Sequence, residues 1–220
     1  MGRVRSVSTA LERVFVERGD FKVFHEPALP PTTTRWSERF AATETKREYG
    51  CEEVLDLMLG VQEKPVYFED MAYHVAAVMD DEFVSRFTNT FIIREPAPVL
   101  SSLSSFWPDF TLEETGYEQQ HRPFEVAVEN GEDPAVVDAA DLTADPAATI
   151  RAYCEKLGVP VMPESLSWEP GEVPEWEMWS EWHEEVQDST GIKREPLEGV
   201  YESWLSYYED LHAKRVRPDA

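Results

Sequence analysis

Val4-Arg5-Ser6-Val7-Ser8-Thr9-Ala10-Leu11 stands near the head of the chain and leads into an apolar-periodic segment. Leu11, Val14 and Phe15 recur at i, i+3 and i+4, which predicts a helix over 8–18 with Gly19 as its stop. A helix that begins in a Ser/Thr cluster turns unpaired N–H groups outward, with the positive end of its dipole behind them. Hydroxyls and one arginine beside it complete an anion site. The plainer alternative is an N-terminal cap with Arg5 facing solvent. The pattern GxxxxGK(S/T) is absent, so hydrolysis of ATP or GTP with bound magnesium has little support.

Working outward, Phe21 to His25 (FKVFH) reads as a strand closed by Glu26-Pro27, and residues 28–36, rich in proline and threonine, as a loop. Glu52 to Leu59 is helical by pattern, while PVYF (65–68) and TFII (90–93) are strands. The second of these ends at Arg94-Glu95-Pro96, and a helix follows from Pro96 to about Phe106. Thr111-Leu112-Glu113-Glu114 matches a capping box and opens a helix to about Glu129. AVVD (135–138) is a fourth strand. Asp145 then caps a helix with Pro146 in its first turn and Gly158 past its end. Beyond Val159, Pro160, Pro163, Pro170 and Pro174 interrupt an acidic, Trp-rich tract, and residues 201–214 form a last amphipathic helix.

Short apolar strands alternating with helices predict an α/β fold with a parallel sheet covered on both faces. In such folds ligands gather at the carboxyl ends of strands. Three polar turns fall there: Glu26, residues 70–74 including His74, and Arg94.

At 220 residues, with 42% apolar and 12% aromatic residues, the chain has the material for one domain with a real core. Within it, 1–158 carry the α/β pattern and 159–220 a helical, acidic remainder. A net charge of −24 repels phosphates, which argues against nucleic acid or an anionic membrane as partner. A small anionic ligand remains compatible if a few arginines and backbone N–H groups form a local positive pocket. No run approaches the roughly 18 apolar residues of a membrane span and no signal peptide opens the chain, so a soluble, cytoplasmic protein is expected. Cys51 and Cys154 read as ordinary thiols, and nothing calls for a metal.

Arg5-Ser6-Val7-Ser8-Thr9-Ala10-Leu11 resembles the 5′-phosphosulfate loop of the sulfotransferases that use 3′-phosphoadenosine 5′-phosphosulfate (PAPS) and release PAP. That loop commonly reads Pro-Arg/Lys-Ser-Gly-Thr/Ser-Thr and opens a helix. The same family places an arginine at a strand end and a serine eight residues later, together holding the 3′-phosphate; Arg94 and Ser102 match that spacing. Asp141-Leu142-Thr143-Ala144-Asp145-Pro146 is similar to a strand-to-helix unit late in many members. The resemblance implies a three-layer α/β/α, P-loop NTPase-like fold with a central parallel sheet. It makes Arg5, Ser6, Val7, Ser8, Thr9, Ala10, Arg94 and Ser102 the donor-binding residues, and 1–158 the donor-binding core. Val4 and Val7 replace the usual proline and glycine. The family also has a buried strand directly before the loop, where this chain offers only Met1-Gly2-Arg3-Val4. The expectation is that the true start lies upstream, the alternative being that the strand is missing.

Sulfuryl transfer needs a base for the acceptor's hydroxyl or amine and positive groups for the sulfuryl oxygens. The resemblance implies Glu26 as base, with His74 as the alternative or an acceptor contact, and Arg5 as the sulfuryl clamp. His74, in the apolar stretch MAYHVAAVM, and His25 also read as packed residues. The lysine of the cytosolic branch has no match, since Glu69 stands at that place. Trp168, Trp176, Trp179 and Trp182 either line an acceptor cleft or cover the adenine; Trp179 and Trp182 read more simply as a core-facing stripe. Ser189-Thr190-Gly191 falls where the family returns a loop over the donor. The expected activity is sulfuryl transfer from PAPS to a small-molecule acceptor. The rivals are a catalytically impaired PAPS/PAP-binding protein and, less favoured, a nucleotide-dependent small-molecule kinase.

Overall fold

Helix α1 (Ser8–Arg18) is the element around which the rest is arranged, and both of its ends lie in left-handed backbone. Gly19 stops it at φ 67°, as a glycine does without strain, but Val7 opens it at φ 68° and ψ 15°. A β-branched residue there is strained. This is the position where the related loop carries glycine, and Val7 is held by its carbonyl, which accepts from Ala10 N at 3.1 Å and Leu11 N at 3.3 Å.

The computed structural model describes residues 2, 6–27, 56, 59–60, 63–72, 81–111, 113–194 and 205–217. After α1 come β1 (Lys22–His25), β2 (Val66–Glu69), α2 (Asp81–Ser85), β3 (Thr90–Ile93) and α3 (Pro96–Phe106). Then follow α4 (Tyr117–Glu129), β4 (Ala135–Asp138), α5 (Ala139–Ala144) and α6 (Pro146–Leu157). Two 3-10 turns (Pro163–Leu166 and Pro174–Trp179), α7 (Ser180–Gln187) and α8 (Leu205–Ala213) complete the described chain.

All strand pairing within the two sheets is parallel. β1 pairs with β2 from Lys22↔Val66 to His25↔Glu69, and β3 with β4 from Thr90↔Ala135 to Ile93↔Asp138. On the edge of β2 away from β1, Gly2 pairs in parallel with Met71; its N–H donates to Asp70 O at 3.0 Å and its carbonyl accepts from Ala72 N at 3.2 Å. Beyond β4, Val216 N donates to Val136 O at 2.7 Å and extends that ladder by one bridge.

One core joins both sheets to the helices. Leu11, Val14 and Phe15 of α1 pack with Ile92, Val137, Ile150 and Tyr153. Phe15 stacks on Tyr67 at 3.9 Å, fixing α1 to β2, and the Tyr153 hydroxyl donates to Thr90 Oγ1 at 2.9 Å, fixing α6 to β3. α1 is covered more widely than its apolar stripe predicts, because Glu12, Arg13 and Arg18 are buried as well. Arg18 satisfies itself on Asp20 and on Pro160 O at 2.7 Å.

The strands and α1, α3 and α6 match the sequence reading, with Asp145 capping α6 through Ala148 N at 3.1 Å. The capping-box expectation is corrected. Glu114 does accept from Thr111 N, at 2.6 Å, but the turn it closes is a 3-10 turn over Glu113–Thr115, and α4 starts only after Gly116 in left-handed conformation. The short helices α2 and α5 were not expected. The expected helix over 52–59 lies almost wholly outside the described residues, as does the loop over 28–36.

Candidate active site

The carboxyl ends of β1 and β2 meet the start of α1. Register places His25 beside Glu69, and Glu26 N–H carries the ladder one residue past β1 by donating to Glu69 O at 2.8 Å. Glu26 then turns at φ 41°. A residue before proline is ordinarily held extended, and Glu26 before Pro27 is not. The ladder bond fixes Glu26 N while the chain must leave the sheet, and that demand outweighs the usual preference before proline. Left-handed backbone at a non-glycine residue marks a position that its surroundings over-determine.

Around this point lies a buried polar cluster that sequence reasoning did not assemble. His25 Nδ1 donates to Glu12 Oε2 at 2.7 Å, with both side chains almost fully shielded from solvent. His25 Nε2 lies 3.0 Å from Nε2 of His183 on α7 and 4.0 Å from Glu26 Oε1. His183 Nδ1 lies 3.4 Å from Thr9 Oγ1. Trp176 lies across both imidazoles, with ring centroids 6.3 Å from His25 and 5.2 Å from His183. Arg13 in turn reaches over Trp168 and Trp176.

Burial alone pulls the His25 pKa down. The hydrogen bond and charge of Glu12 overcome it, with Glu26 and Glu69 adding, and His25 is raised to about 9. Burial pushes Glu12 up while His25 pulls it back. His183 is lowered to about 3 by burial and by the charge of His25. Glu69 is raised to about 8 by burial, then by Glu26 and Glu12. Among the described residues neither Glu69 oxygen has a hydrogen-bond partner, in keeping with a protonated acid at neutral pH. Glu12, His25 and Glu69 bring one donor atom each within 4.8 Å of one another. Both ring nitrogens of His25 are engaged, however, so the group closes on itself as a hydrogen-bonded ion pair.

Glu69 and His25 shift with one sign, while His183, lowered from 6.5 to about 3, has the opposite one and adds stability as pH rises to about 6.5. Glu69 (4.5 raised to about 8) and His25 (6.5 raised to about 9) both bind protons more tightly folded than unfolded. Their contribution is complete below the unfolded values and is lost as pH rises through the folded ones. The melting temperature is therefore expected to fall between about pH 6.5 and 9, where His183 no longer opposes the loss. Glu69→Gln should flatten the lower part of that slope, and an unchanged slope by differential scanning calorimetry contradicts the assignment.

The loop residues fall beside this cluster. Ser6 and Ser8 are buried, Thr9 is half-buried, and no side chain caps α1. A Cβ on Gly2 would clash with Glu69 Oε1 and meet Ser8 Cβ at 3.0 Å, so Gly2 lies between the end of β2 and the start of α1. Val7 turns its side chain to the core, and Ala10 belongs to it. Arg94 directly follows β3, and Ser102 lies on α3; both are half-buried. Arg5 and His74 lie outside the described residues, as do the side chains of Trp179 and Trp182. Trp168 and Trp176 are buried, Trp168 within the core. Ser189-Thr190-Gly191 holds Trp168: Trp168 N donates to Thr190 O at 3.3 Å and its Nε1 to Ser189 Oγ at 3.1 Å.

Comparison with known proteins bears on the family of the chain. A sulfotransferase-domain family model matches residues 2–205. Branched-chain-amino-acid aminotransferase-like protein 2 of Arabidopsis thaliana is 28% identical over 194 residues, covering 86% of this chain and 34% of the relative. Protein 1 of the same name and plant is 30% identical over 204 residues, covering 86% of this chain and 35% of the relative. The chain thus spans about a third of the length of the curated relatives it matches. No solved structure matches it.

Proposed function

Because the chain belongs to the sulfotransferase-domain family, we propose that it moves a sulfuryl group from PAPS to a hydroxyl or amine of a small-molecule acceptor. The observation that carries this reading is the opening of α1. Its first turn has no side-chain cap, bears Ser6, Ser8 and Thr9, and starts where β1 and β2 end beside Glu26 and Glu69. Backbone N–H groups and hydroxyls in that position suit a phosphosulfate. Arg5, Ser6, Val7, Ser8, Thr9 and Ala10 would hold the 5′ end of the donor, Arg94 and Ser102 its 3′-phosphate, within a three-layer, P-loop-like α/β/α domain. Glu26 takes the proton of the acceptor, and Arg5 offsets charge on the sulfuryl oxygens.

Glu69 favours a second reading, an impaired PAPS/PAP-binding protein. The cytosolic sulfotransferases have a lysine at this place, whereas Glu69 is buried and carries no positive charge to the reacting oxygens. Transfer of label from ³⁵S-PAPS to a panel of phenols and amines decides between the two. PAP binding without transfer to any acceptor leaves the binder, and stabilisation by ATP-magnesium rather than PAP points to a kinase.

Arg94→Ala is expected to weaken PAP binding by about 1.5–3 kcal/mol, the scale of a hydrogen bond to a charged group. Arg94 ends β3, and Ser102 lies about two turns into the following helix, so one dianion is within reach of both. Unchanged affinity by calorimetry removes this assignment.

A further inference from the structure

Four side chains form one continuous path from the carboxyl end of β1 to the loop that opens α1. His25 Nδ1 donates to Glu12 Oε2 at 2.7 Å, the Nε2 atoms of His25 and His183 face each other at 3.0 Å, and His183 Nδ1 faces Thr9 Oγ1 at 3.4 Å. Between two imidazole nitrogens so placed, one holds the hydrogen and the other accepts it. That choice orders the whole path. With His25 as imidazolium, both of its N–H groups donate, His183 accepts at Nε2, and the hydrogen of His183 sits on Nδ1. Thr9 Oγ1 then accepts from His183, and the Thr9 hydrogen is available to another acceptor. With His25 neutral and still donating to Glu12, its Nε2 accepts. His183 then carries its hydrogen on Nε2, and its Nδ1 takes the hydrogen of Thr9.

We propose that His25 and His183 are positioning residues that set the direction of the Thr9 hydroxyl, so that the loop offers this donor to an anionic ligand only while the path holds its extra proton. The proposal rests on reading the Ser6–Thr9 segment as the phosphosulfate loop. Every element packed on His25 bears on its charge: Glu12 from α1, Glu26 after β1, Glu69 from β2, His183 from α7 and the indole of Trp176. The three carboxyl groups favour the imidazolium and hold His25 at about 9, while His183 is pushed down to about 3. At neutral pH the path is therefore in its donating arrangement. The C-terminal tract is tied to the loop by this contact, which gives buried His183 a reason to lie beside Thr9.

Two measurements on the full chain test the proposal. Long-range ¹⁵N–¹H correlation of ¹⁵N-histidine protein at pH 7 is expected to show His25 doubly protonated and His183 neutral with its hydrogen on Nδ1. A His183 hydrogen on Nε2 overturns the relay. PAP titration by calorimetry at about pH 7 and 9.5 is expected to show up to roughly fourfold weaker binding to the wild type at the higher pH, because about a quarter of His25 keeps its proton half a unit above about 9. Thr9→Val and His183→Phe should bind more weakly at neutral pH and lose most of that dependence. His183→Gln, which keeps an N–H donor without the proton link, should restore affinity at both values; it also serves if the phenylalanine variant does not fold. Equal pH dependence in wild type and Thr9→Val overturns the proposal. Correct tautomers without PAP affinity overturn the donor-site reading and support the arrangement of the relay alone.

Discussion

Glu26→Gln is expected to lower kcat by roughly 10²–10⁴ while PAP affinity holds, because the amide keeps the shape and loses the proton acceptor. The position suits the role. Glu26 leaves the sheet at φ 41°, anchored by its own N–H on Glu69 O at 2.8 Å, so its backbone is fixed at the mouth of the loop. Its side chain is 14% exposed and sits 4.0 Å from His25 Nε2. Arg5→Ala is expected to damage affinity and turnover together, since a clamp on the sulfuryl group acts in both ground and transition states. Single-turnover assays alongside calorimetry separate the two patterns. Near-full turnover in Glu26→Gln with loss in His74→Ala moves the base to His74. Full binding with no effect of either substitution favours the impaired binder.

The sheet was legible because its signals are local. TFII and AVVD are short apolar runs bounded by polar residues, and both fall within the strands as observed. Gly19 and Gly158 sit at left-handed helix ends, where glycine is favoured, and Asp145 has the side chain a cap requires. The start of α1 was legible for a similar reason, since a Ser/Thr cluster immediately before a helical stripe is a contiguous pattern. The buried cluster beside it was not. Glu12 lies outside the Leu11, Val14, Phe15 stripe and reads as a solvent-facing charge, yet it is fully buried because β1 and the 3-10 turn carrying Trp176 cover that side of α1. Its partner His25 is 13 residues away, and His183 is 158 residues from His25. No spacing rule joins them. A lone histidine in a Trp-rich tract and a His-Glu pair at a strand end were the available signals, and each has an ordinary packing explanation. The conformation of Glu26 was not legible because the local rule before proline competes with a ladder bond to a strand about forty residues away.

His25→Leu is expected to cost about 3–5 kcal/mol of folding stability, because it leaves Glu12 charged or freshly protonated in a buried site without the donor 2.7 Å from its Oε2. Glu12 is fully buried and among the described residues its Oε1 has no partner, so the imidazolium is the main compensation of the carboxylate, with the Trp176 indole a smaller one. Removing both charges is a different matter. Glu12→Leu with His25→Leu replaces the pair by apolar side chains among Trp176 and the α1 core, and the cost of desolvating two ions disappears with them. The double variant should therefore recover much of the loss, and the two substitutions should couple strongly in a double-mutant cycle. Its recovered stability should also be less pH-dependent above about pH 6.5, the unfolded value for histidine, since the proton held by His25 in the folded state is gone. The measurement is urea unfolding of wild type, both singles and the double at about pH 6 and 9. Additive single effects mean that the 2.7 Å contact is not the source of the stability, and the buried pair is then no more than two independent side chains.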